Sequence, residues 1–496
     1  MSLAVQREDN AMSEAIEQTE AITHFDMFID GRWQLAADGG RMDVFDPDTG
    51  QRFASVPRGG QIDLDAAVES ARRGLHVWRN THPGERARIL FRFAQYLREH
   101  AREIAEIEAR DTGSSLGGAL WTVNDVCARR FEYYAGLADK VLGDTFVAPG
   151  HYFGFTLREP VGVTAHIVPW NGPLWIGSRT IAPALAAGNA VIVKPSSEAP
   201  LSLLKLAEMA FACGVPAGVF NVVTGSGGEL GDALTLHPGV DAIYFTGSGF
   251  TARRVLKNAA ETFKPAVMEL GGKSPNIVFA DADPNAALYG ALWAIFANAG
   301  QICVAGSRLL VEKRIHAEFV DRLAGLARGL KLGKEADMGP LISARQRESV
   351  LSYIAAGKSE AVLVAGGGPP GDPALAGGYY VEPTIFDNVK PDARIAREEI
   401  FGPVLAVTPF EDMDEAIAIA NDTPYGLASA VWTSNVKTAH LVAERLEAAQ
   451  VYVNHYYSLA YEVSRTPYKA SGYGSSEGPD AIDAYLRTKT VSINLK

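Results

Sequence analysis

Cysteine is scarce: Cys127, Cys213 and Cys303 are the only three in 496 residues. Three is too few and too odd a number for a disulfide framework, so free thiols in a reducing compartment are expected. No CxxC or HExxH spacing occurs and the ten histidines are scattered, so no metal site is expected. Basic residues are in deficit, with 46 Lys plus Arg against 58 Asp plus Glu. The formal charge of -12 opposes nonspecific binding to nucleic acid or to an anionic membrane surface. A long apolar run is also missing. The most apolar segment, Ala291 to Gly306, is interrupted by Asn298 and Gln301 and falls short of the ~18 uninterrupted residues of a membrane span. The start of the chain carries Arg7, Glu8, Asp9, Glu14, Glu17 and Glu20 without an apolar signal region. A frayed tail over residues 1–23 and a cytoplasmic protein are the expectations.

What is present is material for a large core. Hydrophobic residues make up 47% of the chain, with 49 Gly and 26 Pro, and the length suits two to four units at roughly 150 residues each. Met27 to Trp33 alternates around Asp30-Gly31 and predicts a hairpin. Asp63 or Asp65 is placed to cap a helix carrying Ala67, Val68, Ala71 and Leu75, and Arg86 to Glu108 predicts one long amphipathic helix. From Thr164 the rhythm changes to short apolar runs: Thr164 to Val168, Ala190 to Val193, Val219 to Val223, Asp241 to Phe245 and Ala266 to Leu270. Helical patterns such as Leu201 to Cys213 and Thr251 to Ala260 lie between them. This alternation predicts an α/β fold, a parallel sheet covered on both faces with ligands at the strand C-terminal ends. A second α/β series begins near Ser274, with strands Asn276 to Phe279 and Arg308 to Val311 and helices Asn285 to Ala297 and His316 to Leu330. Tyr152 to Arg158 and Thr488 to Leu495 alternate like half-exposed strands that pair with each other or with another subunit.

Several residues are placed for chemistry. Cys303, in GQICVAGSR, falls in a loop between a helical run and a strand, where turn amides favour a nucleophilic thiolate; the plain alternative is a buried apolar cysteine. Cys127 and Cys213 keep that plain reading. Glu269 ends a strand in MELGGKSP and suits a desolvated general base, or a carboxylate simply emerging into solvent. Asn171, in VPWNGP, offers an amide donor for an oxyanion, with an Asx-turn as the alternative. Lys194 ends AVIVKP, and Gly247 and Ser248 open a helix whose N-terminal amides attract a pyrophosphate.

Seven segments in order carry a resemblance to a known family: PWN (Pro169 to Asn171), Lys194-Pro195, FTGS (Phe245 to Ser248), MELGGKSP (Met268 to Pro275), GQICVAGSR (Gly300 to Arg308), EEIFGPV (Glu398 to Val404) and NDTPYGL (Asn421 to Leu427). The chain resembles the aldehyde dehydrogenase superfamily from about Met27 to Asn494. The resemblance implies a Rossmann-like cofactor domain (24–140 and 160–270), a catalytic domain (271–483) and oligomerisation strands (141–159 and 484–496), in a homodimer or homotetramer. It implies a small-molecule aldehyde as substrate and NAD or NADP as cofactor. By resemblance Cys303 attacks the aldehyde carbon, Asn171 and the Cys303 N–H hold the oxyanion, and Glu269 activates the water that hydrolyses the thioester. Cofactor contacts are implied at Val168, Pro169, Trp170, Lys194, Ser197, Gly247, Ser248, Glu399 and Phe401. A CoA-acylating relative and a noncatalytic protein on the same fold stay open as alternatives.

The chain departs from the family at points that bear on specificity. Ser197 stands where many members carry a Glu for the adenosine ribose, with Glu198 one step later, so NADP is expected to be tolerated beside NAD. Ala252 replaces the last glycine of GSxxxG. On the substrate side, Arg179 stands where a large apolar residue is common and Arg465 where an aromatic one is common. Two arginines at a tunnel mouth point to a carboxylated semialdehyde, while Trp175, Tyr456 and Tyr457 point to an aryl aldehyde. Either arginine also has a plain structural reading, in contact with a backbone carbonyl or a subunit.

Overall fold

The computed structural model describes residues 22–457 and 461–496, so most of the expected tail, residues 1–21, lies outside the described residues. Thr23 and His24 already pair with Ala54 and Ser55. Two large sheets follow. In the first, β1 (Val163–Val168), β2 (Ala190–Pro195), β3 (Phe220–Val222), β4 (Ala242–Thr246) and β5 (Ala266–Glu269) are parallel, in the order β5-β4-β1-β2-β3. Antiparallel edges close it: Gly472–Tyr473 beside β5, and the hairpin Met27–Ile29 and Arg32–Gln34 beyond β3. Asp30 and Gly31 both adopt positive φ (58° and 72°) in the turn, as a two-residue hairpin requires. β1, β2 and β3 are made almost wholly of buried residues, which is why they read as near-continuous apolar runs.

The second sheet is built the same way from β6 (Pro275–Val278), β7 (Arg308–Glu312), β8 (Thr384–Asp387), β9 (Val404–Phe410), β10 (Ala428–Trp432) and β11 (Gln450–Val453). Its order is β8-β9-β7-β6-β10-β11, with Val362–Ala365 antiparallel at the β8 edge. Only Leu270 to Ser274 separates β5 of the first sheet from β6 of the second, so Glu269 and the two glycines after it stand where the sheets meet. A third, three-stranded sheet pairs Tyr152–Pro160 with Leu486–Asn494 and Thr145–Ala148, so the two unusual segments pair with each other. Phe146, Val147, Phe153, Leu157 and Ile493 are exposed on it. Among the described residues no helix is long and apolar enough to cross a membrane.

Two expectations are corrected. The long helix is two, Pro83–Glu99 and Ala101–Thr112, because His100 leaves helical angles (φ -112°, ψ 21°) with its ring stacked on Tyr96 at 4.0 Å. Asp63 does not stand before the helix Gln61–Asn80 but in its first turn, where its carboxylate accepts from Gly60 N (2.9 Å) and Ala37 N (2.9 Å).

The helix Ala101–Thr112 caps two others. Glu108, 4% exposed, accepts from Leu174 N (3.3 Å) at the start of α1 (Pro173–Ala186) and from the Ser202 hydroxyl on α2 (Leu201–Ala212). Asp111 accepts from Leu201 N at 2.7 Å. Burial pushes Glu108 from its ordinary 4.5 up to about 7, against the pull of those two hydrogen bonds. The native state therefore holds this proton more tightly than the unfolded chain. Stability from the group is full below the ordinary Glu range, falls as pH rises to about 7, and is level above; its size is up to about 3 kcal/mol. Glu108→Gln should remove this slope, so urea midpoints at pH 5 and pH 8 should differ less in the variant than in the wild type. A stability gap between the two proteins that is constant with pH would contradict this.

Candidate active site

In the first sheet β1 lies between β2 and β4, and the strand order reverses there. Such a switch point opens a crevice beyond the strand C-terminal ends. The ladder pairs Ile167 with Lys194, Val168 with Pro195 and Thr246 with Glu269. This register brings Val168 to Asn171, Lys194 to Ser197, Gly247 to Ser248 and Glu269 to one edge. Lys194 is 3% exposed, its Nζ donates to Pro195 O (3.0 Å), and burial pushes its ammonium down to about 8. Ser196 and Ser197 both donate to the Glu198 carboxylate, whose other oxygen accepts from Arg345 at 2.6 Å. A carboxylate therefore does stand beside Ser197, with its charge offset by Arg345. Ser248 caps α3 (Gly249–Glu261) by accepting from Thr251 N at 3.3 Å.

Cys303 is delivered by a loop of unusual backbone. Asn298, Ala299 and Gly300 take left-handed angles in succession (φ 49°, 51° and 72°), which L-residues adopt only when tertiary contacts impose them. Gly300 packs so closely on the Gly402 carbonyl that an added Cβ would lie 2.1 Å from its oxygen. Gln301, 2% exposed, holds the turn: Nε2 donates to Asn298 O (3.2 Å) and Pro340 O (3.3 Å), and Oε1 accepts from Ile342 N (2.9 Å). Its carbonyl accepts from Asn171 Nδ2 at 2.9 Å. Asn171 thus makes a contact 130 residues along the chain rather than an Asx-turn, and one of its two amide hydrogens stays available. The glycines after Glu269 fit the same assembly. A Cβ on Gly272 would meet the Cys303 carbonyl oxygen at 2.4 Å, and one on Gly271 the Glu399 carboxylate at 2.0 Å. Glu399 accepts from Gly272 N (3.0 Å) and is pushed by burial up to about 7. Phe401, at φ 57°, sets its ring edge-on to Trp170 with centroids 5.3 Å apart.

Cys303 as a residue is partly exposed, unlike the other two cysteines. The protein packed around its sulfur nonetheless pushes the thiol up to about 11; Arg179 and Arg465 pull it down, and Glu269 and Glu399 push it further up. Whatever help the turn amides give towards a thiolate, desolvation outweighs it in the protein by itself. Cys127 and Cys213 are buried.

Arg179 is not at the mouth of a tunnel. It is 5% exposed on α1, its Nη1 lies 3.8 Å from a Glu269 oxygen, and its Nη2 donates to the Thr246 hydroxyl at 3.2 Å. Glu269 has this cation as its ionic partner instead of emerging into solvent. Its other oxygen, Oε1, is buried without a hydrogen-bond partner, in a small cavity lined by Arg179, Thr246, Ser475 and Ser476.

The remaining wall is aromatic and basic. A π-helical turn, Thr122–Cys127, joins Leu116–Trp121 to Ala128–Leu137, a feature common near functional sites. It sets Trp121 against Trp175 (5.4 Å) and Arg130 over Trp175 (5.7 Å) and Tyr461 (5.0 Å). Tyr456 and Tyr457 direct their hydroxyls to Val304 O (2.8 Å) and Ala294 O (2.7 Å). Arg465 donates to Gln450 Oε1 (3.2 Å) and to Glu477 Oε1 (3.3 Å), which also accepts from Arg130 at 2.6 Å. Sequence reasoning did not single out Gln301, Arg130, Gln450 or Glu477. Arg130 carried a signal, since Val123, Cys127, Arg130, Phe131 and Tyr134 share one buried helix face. Among the described residues no group of His, Cys, Asp and Glu is placed to hold a metal.

With the thiol near 11, inactivation of the ligand-free protein by iodoacetamide should accelerate about tenfold per pH unit from pH 7 to pH 10. A plateau below pH 8, followed by mass spectrometry of the Cys303 peptide, would contradict this placement.

Comparison with known proteins agrees with the geometry. The family model described as "Aldehyde dehydrogenase family" matches residues 33–491. The hydroxyisobutyraldehyde dehydrogenase of Mycolicibacterium austroafricanum is 43% identical over 477 residues, 95% of this chain and 94% of that protein. The betaine aldehyde dehydrogenase of Bacillus subtilis (strain 168) is 41% identical over 478 residues, 95% and 97% of the two chains. The solved structure of the P. syringae indole-3-acetaldehyde dehydrogenase, in complex with NAD+ and IAA, superposes with a TM-score of 0.92 at 41% identity, covering 96% of this chain and 98% of that one. By a sequence match over most of its length and by its fold, the chain belongs to the aldehyde dehydrogenase family.

Proposed function

We propose that the chain oxidises an aldehyde to its carboxylic acid through a covalent intermediate on Cys303. The observation that carries this reading is the joining of three distant segments: Asn171 is bonded to the carbonyl two residues before Cys303, and the backbone after Glu269 packs on the Cys303 carbonyl. The thiol first loses its proton to solvent, and the guanidinium groups of Arg179 and Arg465 favour the thiolate. Its sulfur adds to the aldehyde carbon. The charge that forms on oxygen is met by the free Asn171 amide hydrogen and the Cys303 N–H.

The switch-point crevice fits a nicotinamide dinucleotide. Lys194 and Ser197 offer polar groups at one end, the start of α3 offers unpaired amides for a pyrophosphate, and Glu399 with Trp170 and Phe401 encloses the end near Cys303. Val168, Pro169, Gly247 and Ser248 form the floor between them. When bound, the dinucleotide supplies the acceptor for the hydride that leaves the carbon. The carbon is then a thioester, and Glu269 takes a proton from the water that attacks it. The C–S bond breaks, the acid is released and the thiolate returns. With Ser197 in place of a carboxylate, and Glu198 paired with Arg345, the adenosine end accepts NAD and NADP.

We further assign residues 24–140 and 160–270 to a cofactor-binding unit and 271–483 to a catalytic unit. The exposed apolar side chains of the three-stranded sheet fit a homodimer or homotetramer, and the unpaired thiols fit a cytoplasmic setting.

An aldehyde panel scanned for NADH and NADPH formation tests the reading. Cys303→Ser should abolish turnover, and Asn171→Ala should lower kcat by about 10²- to 10³-fold. Glu269→Gln should keep a stoichiometric burst of reduced cofactor while slowing the steady state. Full activity of Cys303→Ser, or a rate that depends on added CoA, would contradict the mechanism.

A further inference from the structure

We propose that Arg345, a residue of the catalytic unit, binds the 2′-phosphate of NADP with the guanidinium donors that its contact to Glu198 leaves free. This rests on the reading of the switch-point crevice as a dinucleotide site with its adenosine end at Ser197. The Ser197 hydroxyl donates to one oxygen of Glu198 at 3.3 Å, and Arg345 Nη2 donates to the other at 2.6 Å. A single carboxylate therefore separates the guanidinium from the hydroxyl that marks this end of the crevice. Glu198 is itself fixed, because the Ser196 hydroxyl bonds the same oxygen as Ser197.

Arg345 reaches this point on a firm base. It lies in the first turn of the helix Ala344–Glu360, which Ser343 caps by accepting from Gln346 N at 3.2 Å. Gln346 Nε2 donates to Phe401 O (2.8 Å), and Ile342 N donates to Gln301 Oε1 (2.9 Å). The backbone that carries the arginine is thus tied to the nicotinamide end of the crevice and to the catalytic loop. A cation in the first turn opposes the helix dipole, so Arg345 is not there for the sake of its own helix. Its side chain is little committed: it is 83% exposed, against 22% for Glu198, and among the described residues its hydrogen bonding is limited to that carboxylate. A guanidinium has five N–H donors, so the pair orients the group without saturating it. A phosphate monoester brings a charge of about -1.5 to -2 and three acceptor oxygens, which a guanidinium fork matches in shape and charge. The hydroxyl that NAD carries at the same place is uncharged and gains little from the cation. Arg345 therefore acts on one cofactor and not on the other.

The test measures the Kd of NADP and of NAD by calorimetry on the full-length protein without aldehyde, for the wild type, Arg345→Gln and Arg345→Lys, with thermal melts to verify folding. The wild type should bind the two cofactors within about tenfold of each other. Arg345→Gln should weaken NADP by about 10- to 100-fold and change NAD by less than threefold, and Arg345→Lys should recover part of the loss. Adenosine 2′,5′-bisphosphate should displace NADP from the wild type, less well as potassium chloride rises. A wild-type preference for NAD above a thousandfold overturns the proposal even if no variant folds. So does an unchanged NADP affinity in Arg345→Gln, or an equal loss on both cofactors, which would limit the arginine to holding the helix against Glu198. Binding of neither cofactor to the wild type would instead overturn the reading of the crevice.

Discussion

The site depends on one buried amide. Gln301 uses its side chain to bind Asn298, Pro340 and Ile342 and its carbonyl to bind Asn171. Those contacts join the loop that ends the first strand of one sheet to the loop that leads into a strand of the other. They also hold three consecutive residues at left-handed angles, of which the two with side chains, Asn298 and Ala299, each cost of order 1–2 kcal/mol without external support. The strain is local and the restraint is tertiary, so the position of Cys303 is a property of the assembled molecule. Gly271, Gly272 and Gly300 belong to the same constraint: each lies where a side chain would collide with Glu399, Cys303 or Gly402.

Around that frame the electrostatics are arranged in pairs of unequal strength. The close contact of Arg130 with Glu477 is fully buried, and breaking such a pair by removing one member leaves an uncompensated charge. The contact of Arg179 with Glu269 is long, at 3.8 Å, with one oxygen and the Arg179 Nε left unpaired. The short pair fixes a wall, whereas the long pair allows the Glu269 carboxylate to turn. Glu269 therefore stands against a cation that keeps it near the thiol without using both of its oxygens.

Much of this was legible in the chain. The parallel strands announced themselves because both faces of the sheet are covered, and the loops after them because glycine, proline and asparagine cluster there. The seven ordered segments gave the family, and the comparisons agree. What could not be read was direction. Nothing in IGSRT says whether Arg179 faces solvent or Glu269, because on a helix buried nearly all round an arginine's partner is set by the strand opposite. Glu477 carried no signal, since its two partners are 347 and 12 residues away. The break at His100 and the π turn at Thr122 interrupt stretches whose periodicity alone reads as continuous helix.

The raised proton affinity of the Cys303 sulfur has a protective side. Peroxide attacks the thiolate form, and with the group near 11 that form is sparse in the ligand-free protein at neutral pH. On that basis sulfenic acid should form slowly at Cys303, which would spare the proposed nucleophile between turnovers.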